Sequence, residues 1–570
     1  MSPRPFADSP ASALYESTPL LIFGGAAILL AAFLYTRAQN ASQRGPLPPS
    51  PKGAIPIFGH MFMLPKSRPW VKMEEWTREL GKFFPRSTGA RLALRSRRRA
   101  SYSPNDGIQP CPIYTLKLGS QTVVVVGRAP VAMDLLDKRS AIYSSRPRLI
   151  MTSDLVSRGL RMTFMQYGDL WRRQRKLLHS LTSPKASSSY EPIQSMESAQ
   201  LVRDMIQKPK MFWGHCQRSL IVRKKFCGLR RYAGSTIMQV AFNKRAPTHD
   251  DHAITEMRKI NERMTKTAVA GRYIVDSLPF LNVLPKPLAP WKQEADTLFE
   301  ETLSLFKSHY DGVNNEVKEG RDVHCFATEI LRLRSQYDLS ETEAIFLAGA
   351  MYGAGSDTTA DGISTFILIM VAHPHVLAKA QEELDRVIGH ERLPEFSDQE
   401  DLVYCQAVVR ECLRFRTIIA GGLGHRSTED DVYNGYFIPK GTTVLANHWA
   451  IHLDPEVYPE PEVFNPARFI VDGKLVGTKY AERGHHAYGF GRRICPGMHI
   501  ADRSLFIVFT RMMWACKIEH QVDEHGVPIP VDIDRFSEGF SSHPLPFQCK
   551  ILSRGKWAEE AIELAVQQQL

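Results

Sequence analysis

The chain has 570 residues, of which 43% are hydrophobic and 23% are charged. These ordinary fractions indicate a folded protein with a large core and exclude a disordered chain. The net charge is +12, but two short blocks carry most of it: residues 86–110 hold six arginines against one aspartate, and residues 219–230 hold four basic residues. The remainder is only mildly basic, so the sequence predicts no nucleic-acid partner.

Nine cysteines are scattered through the sequence, an odd number without the CxxC spacing of a zinc site. Such a set does not indicate the disulfide framework of a secreted protein. The cysteines therefore favour a reducing, cytosolic environment for most of the chain, in which at least one thiol is free for a chemical role.

Residues 20–35 predict a membrane anchor, because they form an uncharged apolar run. A spanning helix needs about 20 apolar residues, and the flanking uncharged residues extend this run toward that length. The alternatives are a buried core helix and a cleaved signal peptide, which would begin with basic residues. Basic residues follow the run from Arg37 onward, so the positive-inside rule places the body of the chain in the cytosol. We predict that residues 1–36 are an uncleaved, single-pass signal anchor.

Three further segments are predicted after the anchor. Residues 37–59 are rich in proline, which breaks helices and favours an extended hinge. Residues 60–556 have the pattern of one mainly α domain with small β-sheets, an α+β composition. Most of this domain has helical spacing, and the β-branched run at 116–126 predicts a strand or hairpin. Residues 557–570 are predicted to form a C-terminal tail.

A glycine-rich loop at residues 488–497 contains the strongest chemical motif of the sequence. Its glycines permit a tight turn and a close approach of the backbone to a flat ligand. Cys495 stands where the following helix begins, so backbone N–H groups and the positive end of the helix dipole favour its thiolate. Arg493 can pair with an anionic group. The alternative is a plain turn before a buried helix, with Cys495 as a small core residue.

The spacing of this loop resembles the haem-binding loop of the cytochrome P450 family, whose pattern is F-x-x-G-x-R-x-C-x-G. The sequence matches that pattern at Gly491, Arg493, Cys495 and Gly497, and has Tyr488 in place of the phenylalanine. The resemblance implies a cytochrome P450-like fold, a haem b cofactor (iron protoporphyrin IX), Cys495 as the iron ligand and the other four residues around the haem. The hydroxyl of Tyr488 needs a partner that phenylalanine would not.

A Glu411-x-x-Arg414 motif lies upstream of the cysteine loop. The two side chains are i, i+3 neighbours on a predicted helix and can form an ion pair, although most such pairs are solvated and weak. In the cytochrome P450 family this motif and a later arginine form a buried triad behind the haem. By resemblance the third member is Arg468, and the role of the triad is structural.

Polar residues interrupt a long apolar segment at Ala354-Gly-Ser-Asp-Thr-Thr359. A threonine hydroxyl in a helix can take over a backbone carbonyl and bend the helix, and Gly355 loosens the same turn. Such a bend would open a groove for dioxygen and a water. The resemblance implies that this is the oxygen-activating site, with Thr358 as the hydrogen-bonding residue and Asp357 as the proton relay. The alternative is an ordinary helix kink.

Two further positions are candidates for contact with the haem propionates. Trp171 and Arg175 share one helix face, and by resemblance Arg175 binds a propionate. An exposed basic helix is the alternative, because more basic residues surround this pair. His425 stands where the family often has a propionate-binding histidine or arginine, although Gly424 replaces a common proline before it.

The resemblance runs from about residue 45 to residue 552, and residues 429–470 are most similar to fungal members that tailor secondary metabolites. It implies a monooxygenase that inserts one oxygen atom from O2 into a small lipophilic substrate, by hydroxylation or epoxidation. The implied electron donors are NADPH–cytochrome P450 reductase and, as an optional second donor, cytochrome b5. The implied location is the endoplasmic reticulum membrane. The alternatives are a haem-thiolate isomerase or dehydratase, a haem sensor without catalysis, and a catalytically impaired haem-binding protein.

The two basic blocks coincide with two gaps in the resemblance. We hypothesise that Arg86–Pro110 and Ser219–Arg230 are insertions into the haem domain, either disordered or translated from retained introns, because they are rich in arginine and aperiodic. A basic docking loop for the membrane or the reductase is the functional alternative.

Overall fold

The structure is a computed structural model, and it describes residues 45–81 (without 57 and 66), 84–85, 108–109, 113–207, 227–477 (without 249 and 270) and 483–568. The predicted anchor at 20–35 lies outside these residues. So do residues 86–107 of the first predicted insertion and 219–226 of the second.

The described residues form a mainly helical fold. In chain order the helices are α1 Pro69–Gly81, α2 Ala129–Ala132, α3 Ser140–Tyr143, α4 Asp169–Thr182, α5 Pro184–Ser188, α6 Glu191–Gln207, α7 Cys227–Phe242, α8 His252–Thr267, α9 Ile274–Ser277, α10 Pro290–Lys318, α11 Phe326–Leu333, α12 Glu341–Ala372, α13 Pro374–Val387, α14 Val403–Phe415, α15 His448–His452, α16 Met498–Ala515 and α17 Lys556–Gln568.

The strands are short and belong to several small sheets. They are β1 Phe84–Pro85, β2 Ile108–Gln109, β3 Ile113–Leu118, β4 Gln121–Val126, β5 His425–Arg426, β6 Asp431–Tyr433, β7 Tyr436–Ile438, β8 Thr443–Ala446, β9 Ile470–Val471, β10 Lys474–Leu475, β11 Cys516–His520 and β12 Cys549–Ser553. Helices with small sheets are what the sequence predicts, and this part of the fold-class prediction is confirmed.

The largest sheet has the order β3-β4-β8-β5. β3 and β4 form the hairpin predicted at 116–126, and the β-branched residues of β4 are nearly all buried, as expected for a central strand. β8 pairs with β4 in parallel and with β5 in the antiparallel direction. The sheet therefore places His425, the first residue of β5, next to the segment that ends α3.

Helix α12 passes through the middle of the protein. Ser340 and Glu343 cap its first turn with a reciprocal capping box. The helix packs against α7, α10 and α16. Glycines allow this close packing: a Cβ on Gly349 would lie 2.1 Å from Cγ of Phe306, and a Cβ on Gly355 would lie 2.7 Å from Cγ1 of Ile237. Gly355 thus serves a helix–helix contact as well as the turn that the sequence indicates.

The proline-rich hinge is attached to the domain over its described part. The backbone N–H of Thr115 donates to the Pro49 carbonyl at 2.7 Å, and the N–H of Phe437 donates to Pro46 at 2.8 Å. Two different sheets therefore hold this segment.

Residues 557–568, which the sequence predicts as part of a tail, form most of helix α17 instead. Ala558 and Ile562 are buried in the main core, and the Trp557 ring stacks on His390 at 4.1 Å between centroids. The apolar residues of this segment recur at helical spacing, so one face packs against the domain. The boundary at residue 557 was therefore wrong.

The structure describes residues on both sides of the first predicted insertion and the last four residues of the second. β1, just before the first insertion, pairs with β2, near its end, so the chain enters and leaves this insertion at adjacent strands. α7 begins at Cys227, which places the last four residues of the second insertion in a helix, with Leu229 fully buried. Of these residues, Leu229 is part of the packed core.

Among the residues that the structure describes, no single helix is long and apolar enough to cross a membrane. One bent pair, α12 with α13, meets the requirements of length and composition together, at an angle of 104°.

A buried carboxylate joins α6, α7 and the segment after α7. Glu197 is fully buried, and its oxygens accept hydrogen bonds from Arg231 at 2.6 Å, Arg245 at 2.8 Å, Gln239 at 2.9 Å and Ser235 at 3.0 Å. Since every donor comes from the segment after the second insertion, this cluster fixes that segment against α6.

We predict that Glu197→Ala destabilises the protein by about 3–5 kcal/mol, because the buried guanidinium of Arg231 keeps only its longer contact with Asp204, at 3.6 Å. Chemical denaturation followed by circular dichroism measures the change. The control is Glu256→Ala, which removes an exposed ion pair with Lys259 and should cost less than about 1 kcal/mol. Equal losses in the two variants would contradict a special role for the buried cluster.

Candidate active site

The cysteine loop lies between α15 and α16. A single 3-10 turn, Gly491–Arg493, reverses the chain, and the N–H of Cys495 then donates to the carbonyl of Tyr488 at 2.9 Å. Met498 begins α16 three residues after the cysteine. Cys495 is a free, partly exposed thiol at the mouth of this helix, as the sequence predicts.

Gly491 is required by the backbone and by its surroundings. Its φ is +57°, and a Cβ at this position would lie 1.9 Å from the carbonyl oxygen of Leu136. Gly489 also has a positive φ, +85°, but a Cβ there would meet nothing within 4 Å. A side chain at Gly489 would be disfavoured only by the backbone conformation. A side chain at Gly491 would be disfavoured by the backbone conformation and also by lack of space.

Tyr488 has the partner that its hydroxyl needs. The hydroxyl donates to Oδ1 of Asp502 at 2.6 Å, and Asp502 also pairs with Arg483. Burial and the neighbouring Asp502 carboxylate raise the pKa of Tyr488 far above its usual value, so the phenol stays protonated. This hydrogen bond ties the start of the loop to the first turns of α16.

Glu411, Arg414 and Arg468 lie together, with Glu411 and Arg414 buried and Arg468 partly exposed. Arg414 donates to both oxygens of Glu411, at 2.7 and 2.8 Å, and Nε of Arg468 donates to Oε1 of Glu411 at 3.1 Å. The remaining guanidinium nitrogens donate to backbone carbonyls of residues 452–463. The triad thus holds the irregular segment between α15 and β9 in one conformation.

Two hydrogen bonds connect this triad to the cysteine loop. Nη1 of Arg414 donates to the carbonyl of His452 at 2.8 Å, and Nε2 of His452 accepts from the backbone N–H of His486 at 2.9 Å. Burial keeps the pKa of His452 well below its usual value, so the ring is neutral and can accept. His452 is a residue that the sequence analysis missed, because nothing in its local sequence indicates this contact.

Four buried histidines cluster here: His448, His452, His485 and His486. Within the described ranges they do not form a group that could hold a metal ion. They serve as neutral packing and hydrogen-bonding groups, and burial lowers the pKa of His486 to about 4.

A cluster of arginines lies beside Cys495. Arg493 donates to the carbonyls of Ser144, Met162 and Met165 at 2.7–3.0 Å. Burial, together with the charges of Arg146 and Arg175, lowers its pKa to about 8. Within the described part of the chain, none of these three arginines forms an ion pair with a carboxylate. Such a cluster is costly unless an anion joins it.

Trp171 adds a hydrogen-bond donor to this cluster. Its Nε1 is buried and has no partner among the described residues, and the guanidinium of Arg493 lies 4.3 Å from the centre of its ring. Arg175, one turn later on α4, has no hydrogen bond or ion pair there either. The predicted pair therefore carries two unused donors, and the charge of Arg175 acts on the thiol of Cys495.

His425 lies next to the arginine cluster. Its Nδ1 is 2.8 Å from the carbonyl of Tyr143, and burial together with the charge of Arg146 lowers its pKa well below the usual value. A neutral ring that donates from Nδ1 has only an acceptor at Nε2. His425 can therefore donate to an anionic ligand only after the ligand has raised its pKa.

Arg146 is a second residue that the sequence analysis missed. It is buried, burial lowers its pKa to about 10, and it donates to the carbonyls of Thr163 and Gly424. It comes from the segment after α3, and only the tertiary fold brings that segment to β5 and to Arg493.

Burial and the neighbouring groups shift the pKa of the Cys495 thiol in opposite directions. Burial raises its pKa, while the N–H of Gly497 and the charge of Arg175 lower it, and the net shift is upward. The helix mouth favours the thiolate as the sequence predicts, but burial outweighs it in the protein alone. A Cβ on Gly497 would meet only Cε of Met351 on α12, at 4.0 Å, so the loop faces α12 across open space.

The packing around helix α12 is open near its middle. Tyr352 and Ala360 are buried, whereas the residues between them are partly exposed. The hydroxyl of Thr358 donates to the carbonyl of Ala354 at 2.8 Å, the contact that the sequence predicts. The helix itself stays continuous from Glu341 to Ala372.

Asp357 is held by two neighbours from other helices. Nδ2 of Asn261 on α8 donates to Oδ2 at 2.9 Å, and Nη1 of Arg230 on α7 lies 3.8 Å from Oδ1. Burial raises the pKa of Asp357 and outweighs the lowering by Arg230 and Asn261. The carboxyl therefore holds a proton at a higher pH than an exposed aspartate does. Arg230 is the last residue of the second predicted insertion.

The cysteine at a helix mouth, the unneutralised cations beside it and the polar opening in the facing helix form a site that suits an anionic, cysteine-ligated cofactor. The sequence profile of the family described as Cytochrome P450 matches residues 109–551. A cytochrome P450 monooxygenase of Armillaria gallica is 35% identical over 96% of this chain and 97% of its own length.

Similar relatives occur in other fungi. The cytochrome P450 monooxygenase virE of Hypocrea virens is 33% identical over 95% of this chain and 92% of its own length. The cytochrome P450 monooxygenase aneD of Aspergillus aculeatus is 32% identical over 92% of each chain. The chain belongs to the cytochrome P450 family, which confirms the resemblance, and the family carries a haem held by a cysteine thiolate.

The residues of this structure fit that cofactor. Haem is a flat apolar group with two carboxylates, so it needs a thiolate, a flat space and cationic donors. Cys495, the open space at Gly497, the unpartnered Nε1 of Trp171 and the guanidinium of Arg175 meet these requirements.

We predict that Gly491→Ala prevents the cysteine loop from closing and sharply lowers the haem content, because its Cβ would overlap the Leu136 carbonyl. Gly489→Ala is the matched control, because it costs only the backbone strain of roughly 1–3 kcal/mol and should retain most of the haem. The haem-to-protein absorbance ratio measures both. Equal haem contents would show that the contact with Leu136 is unimportant.

Proposed function

We propose that the protein is a haem-thiolate monooxygenase that inserts one oxygen atom from O2 into a small lipophilic substrate, by hydroxylation or epoxidation. The observation that carries this proposal is the set of unneutralised cations beside Cys495. A free thiol alone is compatible with a small packing residue, but these cations need an anionic partner. The Asp357–Thr358 opening in α12 supplies the proton-handling groups that oxygen activation needs.

The proposed cofactor is haem b, with Cys495 as the iron ligand. Trp171 and Arg175 would bind one propionate, and Arg146, Arg493 and, once protonated, His425 would surround the other anionic group. When bound, the haem supplies the oxygen chemistry, and the thiolate favours cleavage of the O–O bond. The Gly497 N–H and the charge of Arg175 favour the thiolate of Cys495 against burial, which raises its pKa.

Asp357 and Thr358 are the proposed proton-handling residues. The raised pKa of Asp357 lets it hold a proton closer to neutral pH, as a general acid must. Asn261 and Arg230 hold the carboxyl on the side of α7 and α8. Thr358 already donates its hydroxyl proton to the Ala354 carbonyl, so the hydroxyl oxygen is free to accept a hydrogen bond.

The proposed substrate pocket lies beside the middle of α12. It combines the segment 418–422 with the loop 537–543, which the N–H of Ser542 joins by a 2.7 Å hydrogen bond to the carbonyl of Ile418. The ring of Phe540 lies 6.2 Å from that of Phe164. These apolar groups favour a lipophilic substrate.

The proposed electron donor is NADPH–cytochrome P450 reductase, with cytochrome b5 as an optional second donor. The segment at 1–36 would anchor the protein in the endoplasmic reticulum membrane with the haem domain in the cytosol. Two observations support a tailoring step in secondary-metabolite biosynthesis. The relatives are fungal, and residues 429–470 are most similar to fungal family members that tailor such metabolites. An isomerase or dehydratase would use the same cysteine but would have no need of a proton-holding Asp357.

The carbon-monoxide difference spectrum of the reduced protein tests the proposal. We expect wild-type protein to show the red-shifted band of a thiolate-bound haem and Cys495→Ala to lack it. The control is Cys516→Ala, which removes a buried cysteine in β11 and should keep the band. A wild-type spectrum without the thiolate band would disprove the central assignment.

We predict that Thr358→Ala and Asp357→Asn lower the yield of product per NADPH, with hydrogen peroxide released instead. A lost proton donor costs about 100-fold or more in the step that it serves. The measurement follows NADPH, peroxide and product in reductase-driven turnover of a surrogate such as 7-ethoxycoumarin.

The matched control is Thr359→Ala, which removes the adjacent hydroxyl and should leave the yield of product per NADPH close to that of wild type. If Thr359→Ala and Thr358→Ala behave alike, the helix as a whole, not the Thr358 hydroxyl, sets the yield.

A further inference from the structure

A second carboxylate lies one helical turn after Asp357. Asp361 is on the same face of α12, because residues four apart are neighbours on a helix. It is 5% exposed, and its Oδ1 is 3.5 Å from Nδ1 of His543 in the C-terminal loop. Its other oxygen, Oδ2, is buried and has no hydrogen-bond partner among the described residues.

This unpartnered oxygen distinguishes Asp361 from the structural carboxylates of the protein. Glu411 and Glu197 are also buried, but hydrogen-bond donors engage both oxygens of each. A carboxylate that only fastens the loop would be satisfied in the same way. Asp361 instead keeps one buried oxygen without a donor among the described residues, just beyond the partly exposed stretch of α12.

His543 connects this carboxylate to more exposed surroundings. Its side chain is 30% exposed, and Ser537 holds it by accepting from the backbone N–H at 3.1 Å and lying 3.2 Å from Nδ1. Burial lowers the pKa of His543, but pairing with Asp361 outweighs burial and raises it above the usual value. The ring is therefore protonated at a higher pH than a free histidine.

The charges around this pair come from four elements. Arg230 on α7, Glu262 on α8, and Asp357 and Asp361 on α12 all act on the titration of the site, together with His543 from the loop. The carboxylate of Asp361 helps to raise the pKa of Asp357. The two aspartates and His543 thus form one coupled system.

We propose that Asp361 and His543 form a proton-holding pair that resupplies Asp357 from the side of the C-terminal loop. This inference rests on the proposed role of Asp357 as the proton relay. Asn261 and Arg230 already contact the two oxygens of Asp357. Asp361, by contrast, has one oxygen with no hydrogen-bond donor among the described residues.

The transfer involves protons only. The His543 imidazolium gives its Nδ1 proton to Oδ1 of Asp361, which leaves a neutral imidazole and a neutral carboxylic acid. The neutral carboxyl of Asp361 then rotates about its Cβ–Cγ bond, and the protonated oxygen gives its proton through one water to the carboxylate of Asp357. Asp361 returns to its ionised form. The imidazole regains a proton from solvent after tautomer exchange.

The first test measures the pair directly. Histidine-labelled holoprotein in its reduced, carbon-monoxide-bound form is titrated by NMR, with His543→Gln to assign the signal. We expect His543 to titrate above pH 6.5 in wild type and at a lower pH in Asp361→Asn. An unchanged titration in Asp361→Asn would overturn the pairing, whatever the catalytic activity of the protein.

The second test follows the yield of product per NADPH against pH, with reductase and 7-ethoxycoumarin. Because the pair is loaded below the pKa of His543, the wild-type yield should fall as the pH rises through that pKa. His543→Gln and Asp361→Asn should lower the low-pH yield by about tenfold, less than loss of Asp357 itself, and flatten the profile.

Ser537→Ala is the matched control, because it loosens the same loop but keeps the titrating pair. Its profile should keep the wild-type midpoint, whatever its rate. The inference is overturned if His543→Gln and Asp361→Asn keep the wild-type profile, or if Ser537→Ala flattens it as they do. A wild-type protein without the thiolate band or without O2-dependent turnover refutes the proposed function instead, and the NMR titration still decides whether the pair exists.

Discussion

The buried ion pair between Glu411 and Arg414, completed by Arg468, is the constraint on which the site depends. A buried ion pair stabilises a fold only when all its donors and acceptors are satisfied. Here the carboxylate accepts from both arginines, and their remaining donors reach backbone carbonyls of residues 452–463. His452 extends the network to His486, so the cysteine loop has little freedom to move away from α16.

On the other side of Cys495, the buried charges are not balanced by partners. Arg146, Arg175 and Arg493 lie close together without a carboxylate among the described residues, and their repulsion lowers the pKa of Arg493. The fold therefore keeps electrostatic energy that only an anionic ligand releases. Cofactor binding should stabilise this region more than the rest of the protein, because the ligand binds the folded state alone.

Helix α12 combines close packing against its neighbours with a polar opening, and the proposed chemistry needs both. Glycines 349 and 355 let neighbouring helices approach closely enough to hold it rigidly. In the turns between Tyr352 and Asp361 the packing opens, and the polar side chains meet Arg230, Asn261 and His543 from three other segments. Leu229 and Arg230 at the end of the second predicted insertion belong to this packing, so that segment contributes to the site.

The sequence by itself determined the features that follow from local geometry. The cysteine loop needs glycine at fixed positions, and Glu411–Arg414, Trp171–Arg175 and Thr358–Ala354 are neighbours because of helical spacing. The tertiary structure decided the rest: the contacts of Arg146, His452 and Arg230, the pairing of Asp361 with His543, and the packing of α17. These contacts join residues tens to hundreds of positions apart, and no local periodicity records which distant segments a folded chain brings together.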